Sequence, residues 1–70
     1  MFEIRYNKLW KKLIDMNLNK TQLRAMTGIG TGTMAKLSKG EPVGLEIIGK
    51  ICFALKCNIE EVVEFIYEQN

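Results

Sequence analysis

The sequence predicts an all-α domain of five short helices that includes a helix-turn-helix. Apolar residues recur at spacings of three and four along most of the chain, and glycines follow two of these runs at points suited to a helix end. The 70 residues, of which 47% are hydrophobic and 26% charged, have the length and composition of one small globular domain. We therefore expect residues 1–70 to fold as a single domain.

The first two helices are predicted in the N-terminal part of the chain. Helix one runs from about Tyr6 to Met16, because its apolar residues lie at helical spacing and its lysines lie on the other side. Residues 2–6 alternate apolar with charged residues and are compatible with a short extended arm. Helix two begins after Asn19, whose side chain is suited to cap it together with Gln22 three residues later.

Glycines delimit the third helix. Gly28 suits the left-handed position that ends helix two, because glycine adopts that conformation at little cost. Helix three is predicted over about Thr31–Ser38, since Met34 and Leu37 form an apolar pair three residues apart. Gly40 then supplies the next helix end.

Two further helices are predicted in the C-terminal half. Helix four follows a connection at Pro42, is apolar around much of its circumference and should be central to the core. Its main stripe consists of Leu45, Ile48, Cys52 and Leu55, with Ile47 and Ile51 beside it. Asn58 and Glu61 form a second capping pair that opens helix five. The apolar residues of helix five are Ile59, Val62, Val63 and Ile66.

The spacing around Gly28 predicts a helix-turn-helix over about residues 19–38. Leu23 lies five residues before this glycine, Met34 six after it and Leu37 nine after it. Two helices that cross near a right angle need a tight turn, followed by apolar residues that seat the second helix on the first. The same turn also occurs in αα-hairpins, so by itself it leaves the function open.

The two halves of the chain carry opposite charge. Residues 1–40 contain eight basic and two acidic side chains, a formal charge of +6, whereas residues 41–70 contain two basic and six acidic ones, a formal charge of −4. Solvated helix faces alone produce such patterns. Because the basic half also holds the helix-turn-helix, however, the asymmetry favours contact with a polyanion on that side.

The residues give little support to an enzyme, a metal site or a cofactor. The chain has no histidine, and neither Cys52 nor Cys57 has a base nearby in the sequence. A helical spacing of five places these cysteines on different faces, and we interpret both as small packing residues. We expect no metal, no cofactor and no small-molecule ligand. The lack of a secretory signal or an apolar stretch of membrane-spanning length favours a reducing, cytoplasmic compartment.

Residues 19–40, NKTQLRAMTGIGTGTMAKLSKG, resemble the Cro/CI-type helix-turn-helix family of lambda-repressor-like transcriptional regulators. The resemblance extends through Pro42 and residues 45–48, 51–55 and 58–62, so it covers nearly the whole chain. It implies a compact five-helix domain that binds double-stranded DNA, with helix two across the backbone and helix three in the major groove. Members of this family, found in prokaryotes and phages, usually act as regulators or repressors, often as dimers.

The same resemblance assigns roles to single positions. The residues that match base-contacting positions are Thr31, Gly32 and Lys36. Those that match phosphate-contacting positions are Lys20, Thr33, Lys39 and Gly40, the last together with the backbone of Glu41. The chemistry agrees, because lysines and helix N-terminal amides bind phosphates and a lysine in the major groove can donate to guanine.

Departures from the family pattern define an alternative. Arg24 stands where a small residue usually faces helix three, which requires that the guanidinium reach outward or that the helices splay. Gly30 replaces the usual N-cap of helix three, and Gly32 removes a side chain from a base-reading position. Sequence readout should therefore be weaker than in a recognition helix rich in Gln, Asn and Arg, and DNA binding is expected to be sequence-specific or moderately specific. A protein-interaction module, such as a prophage modulator or antitoxin, is the alternative function.

A homodimer is also expected. The resemblance suggests it, and three consecutive bulky residues cannot all face one small core, so at least one of them should be exposed. These residues are Phe65, Ile66 and Tyr67.

Overall fold

A computed structural model describes residues 1–68. In chain order its elements are strand β1 (Phe2–Arg5), helices α1 (Asn7–Asp15), α2 (Lys20–Thr27), α3 (Thr31–Lys39) and α4 (Leu45–Leu55), a 3-10 turn (Ile59–Glu61) and strand β2 (Glu64–Tyr67). The described part therefore contains four α-helices and a two-stranded sheet. The prediction of an all-α domain with five helices is correct for the first four and wrong for the fifth.

The start and end of α2 follow the local signals in the sequence. The backbone N–H of Gln22 donates to Asn19 Oδ1 at 2.7 Å, and the N–H of Asn19 donates to Gln22 Oε1 at 2.8 Å. This reciprocal pair satisfies two N–H groups that the helix itself leaves without acceptors. At the other end Gly28 has φ of 75°, and its N–H donates to the carbonyl of Arg24 at 2.7 Å. The predicted capping box and glycine turn are confirmed.

Helix α3 lies between Gly30 and Gly40, close to the predicted bounds. Gly40 has φ of 74° and ends the helix in the left-handed region. Met34 and Leu37 are buried, as expected of the pair that seats this helix on α2. The helix-turn-helix is therefore formed as predicted.

The core lies between the four helices and the segment that follows the 3-10 turn. Its fully buried side chains come from α1, α2, α3, α4 and the segment after the 3-10 turn, and they are Leu9, Leu23, Leu37, Ile51 and Val62. One side chain from each of these segments thus reaches the centre, so the fold depends on all of them together.

No helix within residues 1–68 is long and apolar enough to cross a membrane.

Helix α4 is central, but not along the whole predicted stripe. Ile48, Ile51 and Leu55 are buried, which confirms that this helix packs into the core. Leu45, placed in the same stripe by the sequence, is instead 76% exposed, and Phe53 is 88% exposed. An apolar circumference does not by itself show which side faces inward, and here the buried face is turned away from Leu45.

The chain after Asn58 forms one 3-10 turn and then strand β2, where the sequence predicted helix five. Strand β2 pairs antiparallel with β1, and Phe2 lies opposite Tyr67 while Ile4 lies opposite Phe65. The branched and aromatic residues of this segment favour extended backbone. The N-terminal arm, which the sequence predicted as extended, provides the strand with which it pairs. The apolar spacing at 59–66 fits a helix, but the long-range pairing decides the outcome.

Three exposed aromatic residues lie on the ribbon that β1 and β2 form. Phe65 is 52% exposed and Tyr67 is 65% exposed, which confirms that not all of the three bulky residues are buried. The ring of Phe2 lies against both, with centroid separations of 5.2 Å and 6.2 Å. The three rings therefore cover part of one another's surface.

Candidate nucleic-acid interface

The outer face of α3 carries two pairs of residues one turn apart. Gly32 and Lys36 are four residues apart, as are Ala35 and Lys39, and all four are exposed. The buried pair of α3 lies on the opposite side of the helix. No acidic side chain occurs within α3, so its exposed face carries the ammonium groups of Lys36 and Lys39 and no carboxylate.

Glycine at the start of α3 is not required by the fold. A Cβ atom added to Gly30 or to Gly32 would meet no atom within 4 Å, and neither residue has a left-handed φ. Glycine in a helix costs about 1 kcal/mol relative to alanine. Gly30 also provides no side-chain cap. Packing within the described residues therefore does not require glycine at either position.

Lys20 stands where α1, α2 and α3 converge. Its ammonium donates to Ser38 Oγ at 2.9 Å and lies 4.4 Å from the centre of the Trp10 ring. The backbone N–H groups of Lys20 and Thr21 have no acceptor among residues 1–68. A positive side chain and two open amides therefore share the N-terminus of α2, which is a favourable place for an anion.

The other predicted phosphate positions differ in what they offer. Lys39 is exposed, and Thr33 is half-buried. The N–H groups of Gly40 and Glu41 already donate to the carbonyls of Leu37 and Lys36, at 3.2 Å and 2.9 Å. A phosphate at this end of α3 would therefore be held by the Lys39 side chain rather than by these two amides.

A hydrogen bond from Tyr6 holds the connection after α3 in place. The hydroxyl of Tyr6 donates to the carbonyl of Glu41 at 2.8 Å, and burial raises the pKa of that phenol. Because Tyr6 immediately precedes α1, this bond fixes the end of α3 relative to α1.

The basic residues of the N-terminal half fall into two groups. Three of them pair with acids: Arg5 with Glu3 at 3.1 Å, Lys8 with Glu64 at 4.0 Å, and Lys12 with Glu61 at 3.1 Å. The others form no ion pair among the described residues, and they are Lys11, Lys20, Arg24, Lys36 and Lys39. The acidic C-terminal half thus neutralises part of α1 and leaves α2 and α3 positive.

Arg24 lies at the boundary between the protein and solvent. The residue is only partly exposed, and its Nε atom is buried with no hydrogen-bond partner among residues 1–68. Because Nε belongs to the guanidinium, at least this part of the charged group lies against the protein.

Sequence reasoning did not single out Ala35 and Ser38. Ala35 is exposed between the two lysines of α3, where a methyl group can contact the methyl of thymine. Ser38 accepts the hydrogen bond from Lys20 and so sets where that ammonium lies. The spacing of four between Thr31 and Ala35 could have indicated that Ala35 lies on the same face of α3. No signal in the sequence indicated the role of Ser38.

No group of three or more His, Cys, Asp or Glu side chains that could hold a metal occurs within residues 1–68. Cys52 and Cys57 are free thiols, partly buried against the core, and both line one groove beside α4. Burial raises the pKa of the Cys57 thiol, which makes it a poorer nucleophile. Their packing role is thus as predicted, although they face the same groove.

Comparison with known proteins agrees with this geometry. The chain matches the model of the Cro/C1-type HTH DNA-binding domain over residues 8–68. It belongs to the Cro/C1-type helix-turn-helix family. A crystal structure of the transcriptional regulator VanUg, form II, is 40% identical and has a TM-score of 0.92, with 96% of this chain and 89% of that chain covered. Comparison with curated proteins gave no match.

The matched region begins in α1 and includes the whole helix-turn-helix, both ends of α3 and the terminal strand. As a Cro/C1-type domain the chain is a DNA-binding domain of the transcription-regulator class.

Proposed function

We propose that this Cro/C1-type domain is a transcriptional regulator that inserts α3 into the major groove of double-stranded DNA. One observation carries the proposal. The exposed face of α3 holds Lys36 and Lys39 with no acidic residue, while its buried face is packed on α2. An α-helix with this charge fits the width of the major groove and its phosphate borders.

Two anchors support this orientation. At the start of α2, the ammonium of Lys20 and the open N–H groups of Lys20 and Thr21 bind one phosphate. At the end of α3, Lys39 binds another. Thr33, half-buried beside the groove, adds a hydroxyl to the same border. Contacts of this kind fix the position of α3 but carry no sequence information.

Base reading is limited to a few groups. Lys36 donates to guanine acceptors, Thr31 contributes a hydroxyl at the start of α3, and the methyl of Ala35 contacts thymine. Gly32 reads no base and instead lets the helix backbone approach the base edges. We therefore propose moderate specificity, less than that of a recognition helix rich in arginine and glutamine.

We further propose that the regulator acts as a homodimer on a two-fold operator and represses by occupying it. Two α3 helices related by a two-fold axis read half-sites about 34 Å apart. We propose that the regulator is cytoplasmic, because the DNA of a prokaryotic or phage-infected cell lies in the cytoplasm. Its two free thiols are compatible with that reducing compartment.

A protein-interaction module remains the second candidate, favoured by Gly30 and Gly32, because a recognition helix with little side-chain bulk can also bind a protein surface. The two candidates differ in their dependence on salt. Binding to DNA releases counterions from the phosphates and therefore weakens steeply as salt rises.

The test is a titration of the purified chain against duplexes selected from a random library, at several salt concentrations. We expect Lys36→Ala to cost about 1 to 3 kcal/mol on the selected site and to relax discrimination at one base pair. Lys20→Ala should weaken all sequences alike and reduce the salt slope by about one. Lys11→Ala removes an exposed lysine of α1 that lies outside the interface and serves as the control.

Two results would contradict the proposal. A chain that selects no sequence and shows no salt-dependent binding at low salt is not a DNA-binding regulator, and the protein-interaction module is then preferred. Equal behaviour of the Lys36 and Lys20 variants would instead remove the base-reading role of Lys36.

A further inference from the structure

The outward face of α4 is apolar and has no partner within residues 1–68. Leu45 is 76% exposed and Phe53 is 88% exposed. Gly49 lies midway between them and is also exposed. Because these residues are four apart, all three lie on one stripe of the helix, which runs from Leu45 at the edge of the buried side to Phe53 opposite the buried residues. Phe53 has the largest exposed fraction of any aromatic residue in the described chain.

The fold of a single copy does not require glycine at position 49. Glycine is, after proline, the least favourable residue in a helix interior. A Cβ atom at position 49 would meet no atom within 4 Å, and its φ is not left-handed. The fold therefore tolerates any of several side chains at this position. A glycine flanked by two large apolar side chains is the arrangement that lets the backbone of a second helix approach closely.

We propose that this face binds the same face of a second copy of the chain, with the two α4 helices antiparallel and crossing at Gly49. Leu45 and Phe53 lie about 6 Å along the helix axis on either side of Gly49. In a two-fold antiparallel pair, Leu45 of each copy is therefore level with Phe53 of the other. The face is self-complementary, as a two-fold interface requires.

The charges beside this stripe favour the same arrangement. Glu46 and Lys50 are exposed on one flank of the stripe and form no ion pair among residues 1–68. Around a two-fold axis at Gly49, Glu46 of one copy lies within about 3 Å, along the axis, of Lys50 of the other. Two reciprocal ion pairs result. In a parallel two-fold pair the charged flanks of the two copies would lie on opposite sides of the interface, and these ion pairs could not form. The charges therefore favour the antiparallel pair.

The exposed aromatic rings of the β1–β2 ribbon are the other possible dimer interface, and the structure supports them less well than the α4 face. The rings of Phe2, Phe65 and Tyr67 contact one another, with centroid separations of 5.2 Å to 6.5 Å, so part of their surface is already covered. No charge pattern there specifies a partner. The ribbon thus provides a control surface for the α4 proposal.

The contact is small, and this sets its expected strength. A stable interface buries about 800 Å² on each partner, more than one short helix face supplies. We expect a weak, reversible dimer in free solution that becomes dominant when two copies occupy adjacent half-sites. The inference therefore deepens the proposed regulator and rests on it.

Sedimentation of the full chain over a wide concentration range tests the interface. We expect Gly49→Arg and Phe53→Glu to abolish dimerisation, and Glu46→Lys or Lys50→Glu to weaken it by about tenfold or more. The double charge exchange, Glu46→Lys with Lys50→Glu, should restore it. Phe65→Ser on the ribbon should leave it unchanged. A thermal melt controls for folding, because Gly49→Arg should melt no lower than the native chain.

Measurement on DNA separates the two proposals. A duplex with a single half-site should bind native chain and Gly49→Arg equally, whereas cooperative occupancy of a double site should be lost in the variant. Absence of binding to any duplex refutes the proposed function. Binding by a chain that never dimerises, or that dimerises equally well with Gly49→Arg, refutes the α4 interface alone.

Discussion

Two segments of this chain open with almost the same local signal and end as different structures. Asn19 and Gln22 cap an eight-residue α-helix, whereas Asn58 and Glu61 cap a 3-10 turn of three residues that leads into a strand. In both, the side chain at the third position accepts a hydrogen bond from the N–H of the asparagine, at 2.8 Å and 3.0 Å. A capping box therefore specifies where a turn begins, but not how far the helix continues.

The residues after each capping box make the difference. After Asn19 the chain has favourable helix formers and reaches Gly28, so local preference and packing agree. After Asn58 it has branched and aromatic residues, and strand β1 offers a partner from the opposite end of the chain. The helix-turn-helix is thus specified locally, and the ribbon is specified by contacts between the chain's two ends.

The largest effect is expected where these two regions meet. Gly40 ends α3 with φ of 74°, and a Cβ atom there would lie 3.3 Å from the carbonyl oxygen of Ile4 in β1. Gly40→Val therefore combines a strained backbone with crowding against the ribbon, and should cost more than about 3 kcal/mol of unfolding free energy. Urea unfolding measures this. A native-like midpoint would show that the ribbon does not contact the end of α3.

Gly28→Val probes the helix-turn-helix alone and should have the second largest effect. Gly28 has φ of 75°, but a Cβ atom there meets nothing within 4 Å. Only the left-handed backbone opposes the substitution, so we expect a loss of about 2 to 3 kcal/mol. Gly28→Asn, which tolerates that conformation better, is the control. A thermal melt unchanged by valine would refute the turn.

This contrast explains how much the sequence alone could predict. Asn19, Gly28 and the pair Met34 and Leu37 identify the helix-turn-helix because each signal acts within a few residues. The prediction of a fifth helix was wrong because pairing of residue 2 with residue 67 cannot be read from periodicity. Likewise, the buried side of α4 could not be chosen, so the exposure of Leu45 was missed.

The candidate site divides in the same way. Which residues stand on α3 followed from helix spacing, and the structure places Gly32 and Lys36 on its exposed face. The contact of Lys20 with Trp10 and Ser38 joins three helices and had no local signal. That Gly32 lies in open space is likewise a property of the assembled fold.

The two capping boxes should respond differently to the loss of asparagine. Asn19→Ala removes the acceptor for the Gln22 N–H and should cost about 1 kcal/mol. Asn58→Ala should cost less than half as much, because the N–H of Glu61 donates to the backbone carbonyl of Asn58, at 3.0 Å, and this bond does not need the side chain. Thermal melts of both variants measure the difference. Equal losses would mean that the terminal turn depends on its cap as strongly as α2 does.

The smallest effect on stability should come from loss of the ion pair between Glu61 in the 3-10 turn and Lys12 in α1. The Asn58 N–H and the Lys12 ammonium both bind the Glu61 carboxylate, which lowers its pKa below the ordinary value of 4.5. A carboxyl with a depressed pKa stabilises the fold above its unfolded pKa, and this contribution is lost as the pH falls through the folded value. Unfolding of the native chain should therefore become easier below about pH 4.5.

Glu61→Gln isolates that charge, because glutamine can still accept the bond from the Asn58 N–H. Urea midpoints measured from neutral to acidic pH should fall less steeply for this variant than for the native chain. The same contact raises the pKa of Lys12, so its contribution is present at neutral pH and is lost only as the pH rises above about 10.5. Glu60→Gln, which removes a neighbouring carboxylate that forms no ion pair within residues 1–68, is the control. If Glu61→Gln and the native chain lose stability in parallel on acidification, the ion pair does not hold the terminal turn to α1, and the buried side chain of Val62 and the strand pairing suffice to hold it.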